Sequence, residues 1–167
     1  MDIYTRPTWD QTFMDIVEVL ANRSLCIKLK TSAIIVDEHK QILSIGYNGT
    51  FKGCIECDEH WKRYFIENND DITFDDWIMT NEFRTLHKSW SVSNEIHAES
   101  NALRWLSPLH GQSYTLYTLY SPCDWCAKDI ISHRINRVVY KYLYKNGVDS
   151  LKKLSQYGVV CEQIKQH

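Results

Sequence analysis

The 167-residue sequence has no hydrophobic run long enough to span a bilayer, no low-complexity tract, no internal repeat and no linker-like segment. These absences exclude a membrane span, a disordered chain and a repeat array, and leave one domain with enough chain to bury a core. Basic charge is not in excess either: 19 Lys and Arg stand against 21 Asp and Glu, a formal charge of −2. Proteins that grip long nucleic acids rely on clustered positive charge, so no polymeric nucleic acid is expected, although a local pocket for a phosphate is compatible. The opening MDIYTRPTWD lacks the basic-then-apolar pattern of a secretion signal, and the expectation is a soluble cytoplasmic protein with no membrane partner. A reducing cytosol disfavours disulfides, so the six cysteines, together with histidines elsewhere, point to metal.

What is present is an alternation of short elements. Trp9, Phe13, Ile16, Val17 and Leu20, with Leu25 beyond, recur at three and four residues and predict an amphipathic first helix. SAIIVD and QILSIGYNG read as a hairpin across DEHK, with GYNG suited to a tight turn. Residues from about 50 to 93 form the least regular part, an insertion that holds Cys54, Cys57, His60 and His87. One short helix is expected there, near Phe74–Leu86, and the acidic Asn68–Asp76 stretch reads as solvated loop. A helical pattern resumes at Asn94 and stops at Pro108. Then follow a strand (YTLYTLY), a helix (SPCDWCAKDIISHR, with Ser121 as N-cap and Pro122 in its first position), a strand (VVYKYLY), a helix (VDSLKKLSQY) and a strand (VVCEQI). This alternation predicts an α/β protein whose second half is a parallel sheet.

SPCDWC alone is ambiguous. Cys123 and Cys126 lie three residues apart on one helix face at a helix start, where the dipole favours thiolates. A redox pair, half of a metal site and two buried thiols all fit. Upstream, His97 and Glu99 straddle one alanine in NEIHAESNAL. In mid-helix they would point apart, but at the first turn both can face one cavity. One histidine and two cysteines leave zinc an open position for water, with Glu99 beside it as proton carrier. Together these residues complete H-x-E…P-C-x-x-C, the signature of zinc nucleobase deaminases, and the redox reading leaves His97 and Glu99 unexplained.

Over about Phe13–Val160 the sequence resembles the zinc-dependent cytidine and deoxycytidylate deaminases, most of all phage deoxycytidylate (dCMP) deaminases. The resemblance rests on Cys26 followed by SAIIV, then GYNG, HKSWSVSNEIHAESNAL, SPCDWCAK and VVYKYLY. It implies a three-layer α-β-α fold with a five-stranded mixed sheet, spanning 1–167 as one domain. It further implies hydrolysis of dCMP to dUMP and ammonia in thymidylate-precursor synthesis, with dCTP as an alternative substrate and a tRNA adenosine or other base deaminase as the rival reading. By the resemblance, His97, Cys123 and Cys126 hold the catalytic Zn2+ and Glu99 is the general acid/base. The backbone at Ala98 and Ser121 would meet the pyrimidine's polar edge, Asn48 and Glu95 the deoxyribose hydroxyls, and Lys28 and Tyr144 the phosphate. Lys28 stands where relatives carry arginine, so it lacks a bidentate fork. Cys26, Cys57 and His87 match a structural Zn2+ site of phage relatives, with Cys54 or His60 as fourth ligand. Activation by dCTP and inhibition by dTTP, with Mg2+ accompanying the triphosphate, a homo-oligomer such as a hexamer, and a host cytoplasm for a phage protein complete what the family implies. Two departures fall near the effector region: Thr31-Ser32-Ala33 in place of Val-Gly-Ala, and Thr50-Phe51 after GYNG.

Overall fold

The structure is a computed structural model that describes residues 6–68, 71–107, 111–145 and 147–164. Helix α1 (Trp9–Ala21) is followed by strands β1 (Ser32–Asp37), β2 (Ile42–Tyr47) and β3 (Gly49–Thr50). Helices α2 (Cys57–Asn68), α3 (Phe74–Trp77) and α4 (Asn81–Asn94) come next, then β4 (Glu95–Ile96) and α5 (Ala98–Leu103). The chain closes with β5 (Tyr114–Tyr120), α6 (Asp124–Ser132), β6 (Arg137–Tyr142), α7 (Gly147–Gln156) and β7 (Val160–Gln163).

Five strands form one mixed sheet in the order β2-β1-β5-β6-β7, antiparallel through β2, β1 and β5 and parallel from β5 to β7. The expected sheet and its parallel half are both present. Apolar alternation divides its faces. Ala33, Ile35, Leu116 and Val138 pack with α5, α6 and α7, while Ile34, Val36, Tyr117 and Val139 pack with Phe13, Met14 and Val17 of α1. Thr8 caps α1, its hydroxyl accepting from the Gln11 N–H at 3.2 Å. Helix α1 ends at Ala21, so Leu25 lies outside it, and Trp9 and Ile16 of the predicted stripe stay exposed. Pro108, the expected end of the following helical segment, lies outside the described residues; α5 itself ends at Leu103.

The 50–93 insertion is the main departure from expectation. It is largely helical, with its own buried cluster of Cys26, Cys57, Trp61, Trp77 and Phe83. Instead of one helix near Phe74–Leu86, Thr73 caps the short α3 and Thr80 caps α4, which runs to Asn94. The β3–β4 ladder pairs Gly49 with Ile96 and Thr50 with Glu95. It ties the GYNG turn to the residues just before His97.

Candidate active site

Two helices aim their N-termini at one cavity. His97 is the N-cap of α5 and Cys123 the N-cap of α6, two residues later than Ser121, the cap expected from sequence. Ser121 is otherwise engaged: its hydroxyl accepts from the Tyr144 N–H at 2.8 Å, and its own N–H donates to the Tyr142 carbonyl at 2.8 Å. Neither His97 nor Cys123 makes a side-chain capping bond. Their side chains turn toward each other instead. His97 Nδ1 lies 3.2 Å from Cys126 Sγ and 3.4 Å from Cys123 Sγ, and the two sulfurs are 3.6 Å apart. A tetrahedral ion about 2.3 Å from sulfur and 2.0–2.1 Å from nitrogen sets donor edges at roughly 3.4–3.8 Å. The Cys123 edges fall in that range and the His97–Cys126 edge just below it, so a small shift of the imidazole would seat zinc. The Cys126 thiol and His97 hold the Cys123 thiol down to about 4, a thiolate at neutral pH.

Glu99, in the first turn of α5, is buried with its carboxyl beside Cys126 and His97. Burial raises its pKa above the usual carboxylate range, as befits a group that gives and takes protons. Asp124 and Trp125, between the cysteines, face away: Asp124 pairs with Lys153 and Lys128, and the Lys128 ammonium stands 4.7 Å from the Trp125 ring centroid. They stitch the helix surface rather than the site. The Cys161 thiol packs against the sheet core, and its burial raises its pKa to about 11.

The cavity, about 260 Å³, is lined by His97, Glu99 and Cys123 together with Lys28, Asn48, Glu95, Ser121 and Tyr144. All of these were expected at the site. Ala98 is not among its lining residues, and its carbonyl lies against Gly46, leaving only its helix-start N–H to meet a ligand. Asn48 is pinned: Oδ1 accepts from the Thr31 N–H at 2.9 Å and Nδ2 donates to the Leu29 carbonyl at 2.8 Å. The Lys28 ammonium donates to the Ile78 carbonyl and sits 5.1 Å from the Phe83 ring centroid. Thr31, His87, Lys88 and Ser91 also line the cavity. The last three share one face of α4, a placement that follows from the 3.6-residue period of a helix running through them.

A second donor cluster forms part of the same wall. His87 Nε2 lies 3.5 Å from Cys26 Sγ and 3.4 Å from Cys57 Sγ, and Glu95 Oε2 is 3.7 Å from Cys26 Sγ. These three separations match tetrahedral edges, and all four donor atoms lie within 4.8 Å of one another. The fourth member is therefore Glu95 rather than Cys54, which is exposed, or His60, which stacks on Trp90. Glu95 Oε1 is buried without a hydrogen-bond partner among the described residues, and burial with the nearby Cys26 raises the carboxyl to about 7. The Cys26 thiol is held down to about 3 by Cys57 and then His87, while the Cys57 thiol is raised by the Cys26 sulfur. Two sulfurs and an imidazole nitrogen drawn together beside a half-satisfied carboxyl suit a cation better than a dry core.

Residues 7–142 match the model of the cytidine and deoxycytidylate deaminase zinc-binding region. The deoxycytidylate deaminase of Enterobacteria phage T2 is 33% identical over 161 residues, covering 84% of this chain and 85% of its own. That of Saccharomyces cerevisiae is 30% identical over 168 residues, covering 95% of this chain and 46% of its own. The crystal structure of the dCMP deaminase from cyanophage S-TIM5 in complex with dCMP and dUMP is similar, with a TM-score of 0.67 at 26% identity, covering 96% of this chain and all of that one.

Proposed function

The chain belongs to the cytidine and deoxycytidylate deaminase family, and we propose that it hydrolyses dCMP to dUMP and ammonia. The observation that carries this reading is the His97–Cys123–Cys126 triad with a buried carboxylate, Glu99, on the wall of the same cavity. Zinc held by the triad supplies a Lewis acid that brings the pKa of a water toward about 7. Glu99 takes a proton from the attacking water and hands it to ring nitrogen 3, which makes carbon 4 electrophilic. Oxygen adds to carbon 4, Glu99 takes the remaining proton of the added hydroxyl and delivers it to the amino group, and the carbon–nitrogen bond breaks to release ammonia as the carbonyl forms. One carboxylate serves both transfers because the cycle regenerates it. The Ala98 N–H and the Ser121 carbonyl meet the base. Glu95 and the pinned Asn48 wall the deoxyribose, and Tyr144 stands at the mouth beside them.

A second zinc held by Cys26, Cys57, His87 and Glu95 belongs to the same proposal, supported by the closeness of the four donors and by the half-satisfied Glu95 carboxylate. We further propose, from the resemblance of the sequence alone, regulation by dCTP as activator and dTTP as inhibitor, with Mg2+ on the triphosphate, in a homo-oligomer. The test is ammonia release from cytosine, deoxycytidine, dCMP and dCTP, each with and without the triphosphate effectors. dCMP is expected to be the preferred substrate, and Glu99→Gln to lose about 10²–10⁴-fold in kcat while keeping its zinc. Full activity in that variant would sink the mechanism, and equal activity on free cytosine would remove the nucleotide pocket.

A further inference from the structure

Resting on the reading of the substrate as a nucleoside monophosphate, we propose that Lys88 of α4 binds its phosphate and that Lys28 does not. Among the described residues the cavity wall carries two lysines. Lys28 is committed: its ammonium already donates to the Ile78 carbonyl and lies over the Phe83 ring. Moving it to a phosphate would strip the Ile78 carbonyl of that partner and end a cation–π contact. Lys88 is exposed at the mouth and, among the described residues, its ammonium has no ion pair, hydrogen bond or ring contact.

A phosphate dianion leaving water for a cavity wall is stabilised by a cation free to meet it, and of the two lysines there Lys88 is the one without another partner among the described residues. Position follows from the chemistry at the other end. The reacting carbon must reach the His97–Cys123–Glu99 wall, which leaves α4 for the far end of the nucleotide. Lys88 and Ser91, three apart on one helix face, line that wall together. Ser91 Oγ makes only a long 3.3 Å bond to the Lys88 carbonyl, and its hydroxyl can turn to a phosphate oxygen. His87, the preceding residue, is buried between the sulfurs of Cys26 and Cys57, so the Lys88 backbone is held while its side chain stays free to reach. A lysine meets a phosphate as a mobile point charge and needs no planar fork. The insertion thus has a role in recognition as well as in packing, since it presents the residue that meets the phosphate.

Steady-state kinetics on the zinc-loaded protein test this, comparing wild type, Lys88→Ala, Lys88→Arg and Lys28→Ala on dCMP, with inorganic phosphate as competing ligand. Lys88→Ala should raise KM for dCMP about ten- to hundredfold, the range one charge-assisted hydrogen bond covers, with kcat within about twofold. Phosphate inhibition should weaken in parallel, and Lys88→Arg should recover most of both. Lys28→Ala should lower the melting temperature while moving KM less than about threefold. A KM in Lys88→Ala within about twofold of wild type overturns the proposal, as does a KM rise that follows Lys28→Ala instead. Absence of dCMP turnover in the wild type would refute the functional reading alone. Direct titration with inorganic phosphate would then decide Lys88: lost binding in Lys88→Ala supports it, and unaltered binding overturns it.

Discussion

Gly46 sits in β2 with α5 laid directly on its backbone. A Cβ there would come within 2.3 Å of the Ala98 carbonyl oxygen and 2.4 Å of the Ala102 nitrogen, both main-chain atoms that cannot step aside. Gly46→Ala should therefore push α5 outward and destabilise the fold by about 1–3 kcal/mol, a drop in melting temperature of several degrees. Because α5 begins at His97 and Glu99, kcat should fall with it. Wild-type stability and kcat in that variant would show that α5 can give way at no cost. At this scale the residues brought together in the candidate site were legible in the sequence, because His97, Glu99, Cys123 and Cys126 carry a spacing that few other chemistries need. Glu95 was legible only as an acid near a helix start. Its sulfur partner Cys26 lies 69 positions away, and no local pattern links them.

Helices α1 and α6 illustrate what joins the elements. Asp10 of α1 accepts from both terminal nitrogens of Arg137 on β6, at 2.8 and 2.7 Å, and from the Tyr117 hydroxyl of β5 at 2.7 Å. The Arg137 bond, with help from Tyr117, holds the Asp10 carboxyl below its usual range against the opposing effect of burial. A carboxylate with a depressed pKa stabilises above its unfolded value and loses that contribution as pH falls through the folded one. Asp10→Asn should thus cost about 1 kcal/mol at pH 7, partial exposure included, with the difference closing below about pH 4. Denaturant unfolding of the two proteins across pH measures it, and a pH-independent gap would refute the assignment. On the other face Ser100 Oγ donates to Asp129 at 2.8 Å, binding α5 and α6 to each other just behind the His97–Cys123–Cys126 triad. Strand alternation made the sheet readable, and the insertion helices were missed because polar residues mask their period. Trp61, Tyr64 and Phe65 in α2, and Phe83, His87 and Trp90 in α4, do recur at helical spacing and pack on one another. The first turn of α6 was misjudged because Ser-Pro is a common cap, whereas here the cap position goes to Cys123.

For the molecule as a whole, two donor clusters share one cavity and anchor different bodies of structure: α5 and α6 for one, the aromatic core of the insertion for the other. Their losses should be separable. If the insertion holds the proposed second zinc, His87→Ala or Cys57→Ser should lose about one equivalent of bound metal per chain and shift tryptophan emission, since Trp61, Trp77 and Trp90 pack around that cluster. Cys126→Ser should instead abolish turnover with little change in emission. If His87→Ala loses no metal and keeps the wild-type spectrum, the insertion holds itself together by packing alone. The order of donors along the chain adds a temporal meaning. Cys26, Cys57, His87 and Glu95 all precede His97, and Cys126 comes last. During synthesis the donor set of the insertion is therefore complete while β5, the middle strand of the sheet, is still unmade. If that set takes an ion as proposed, it can do so before the donors on α6 exist.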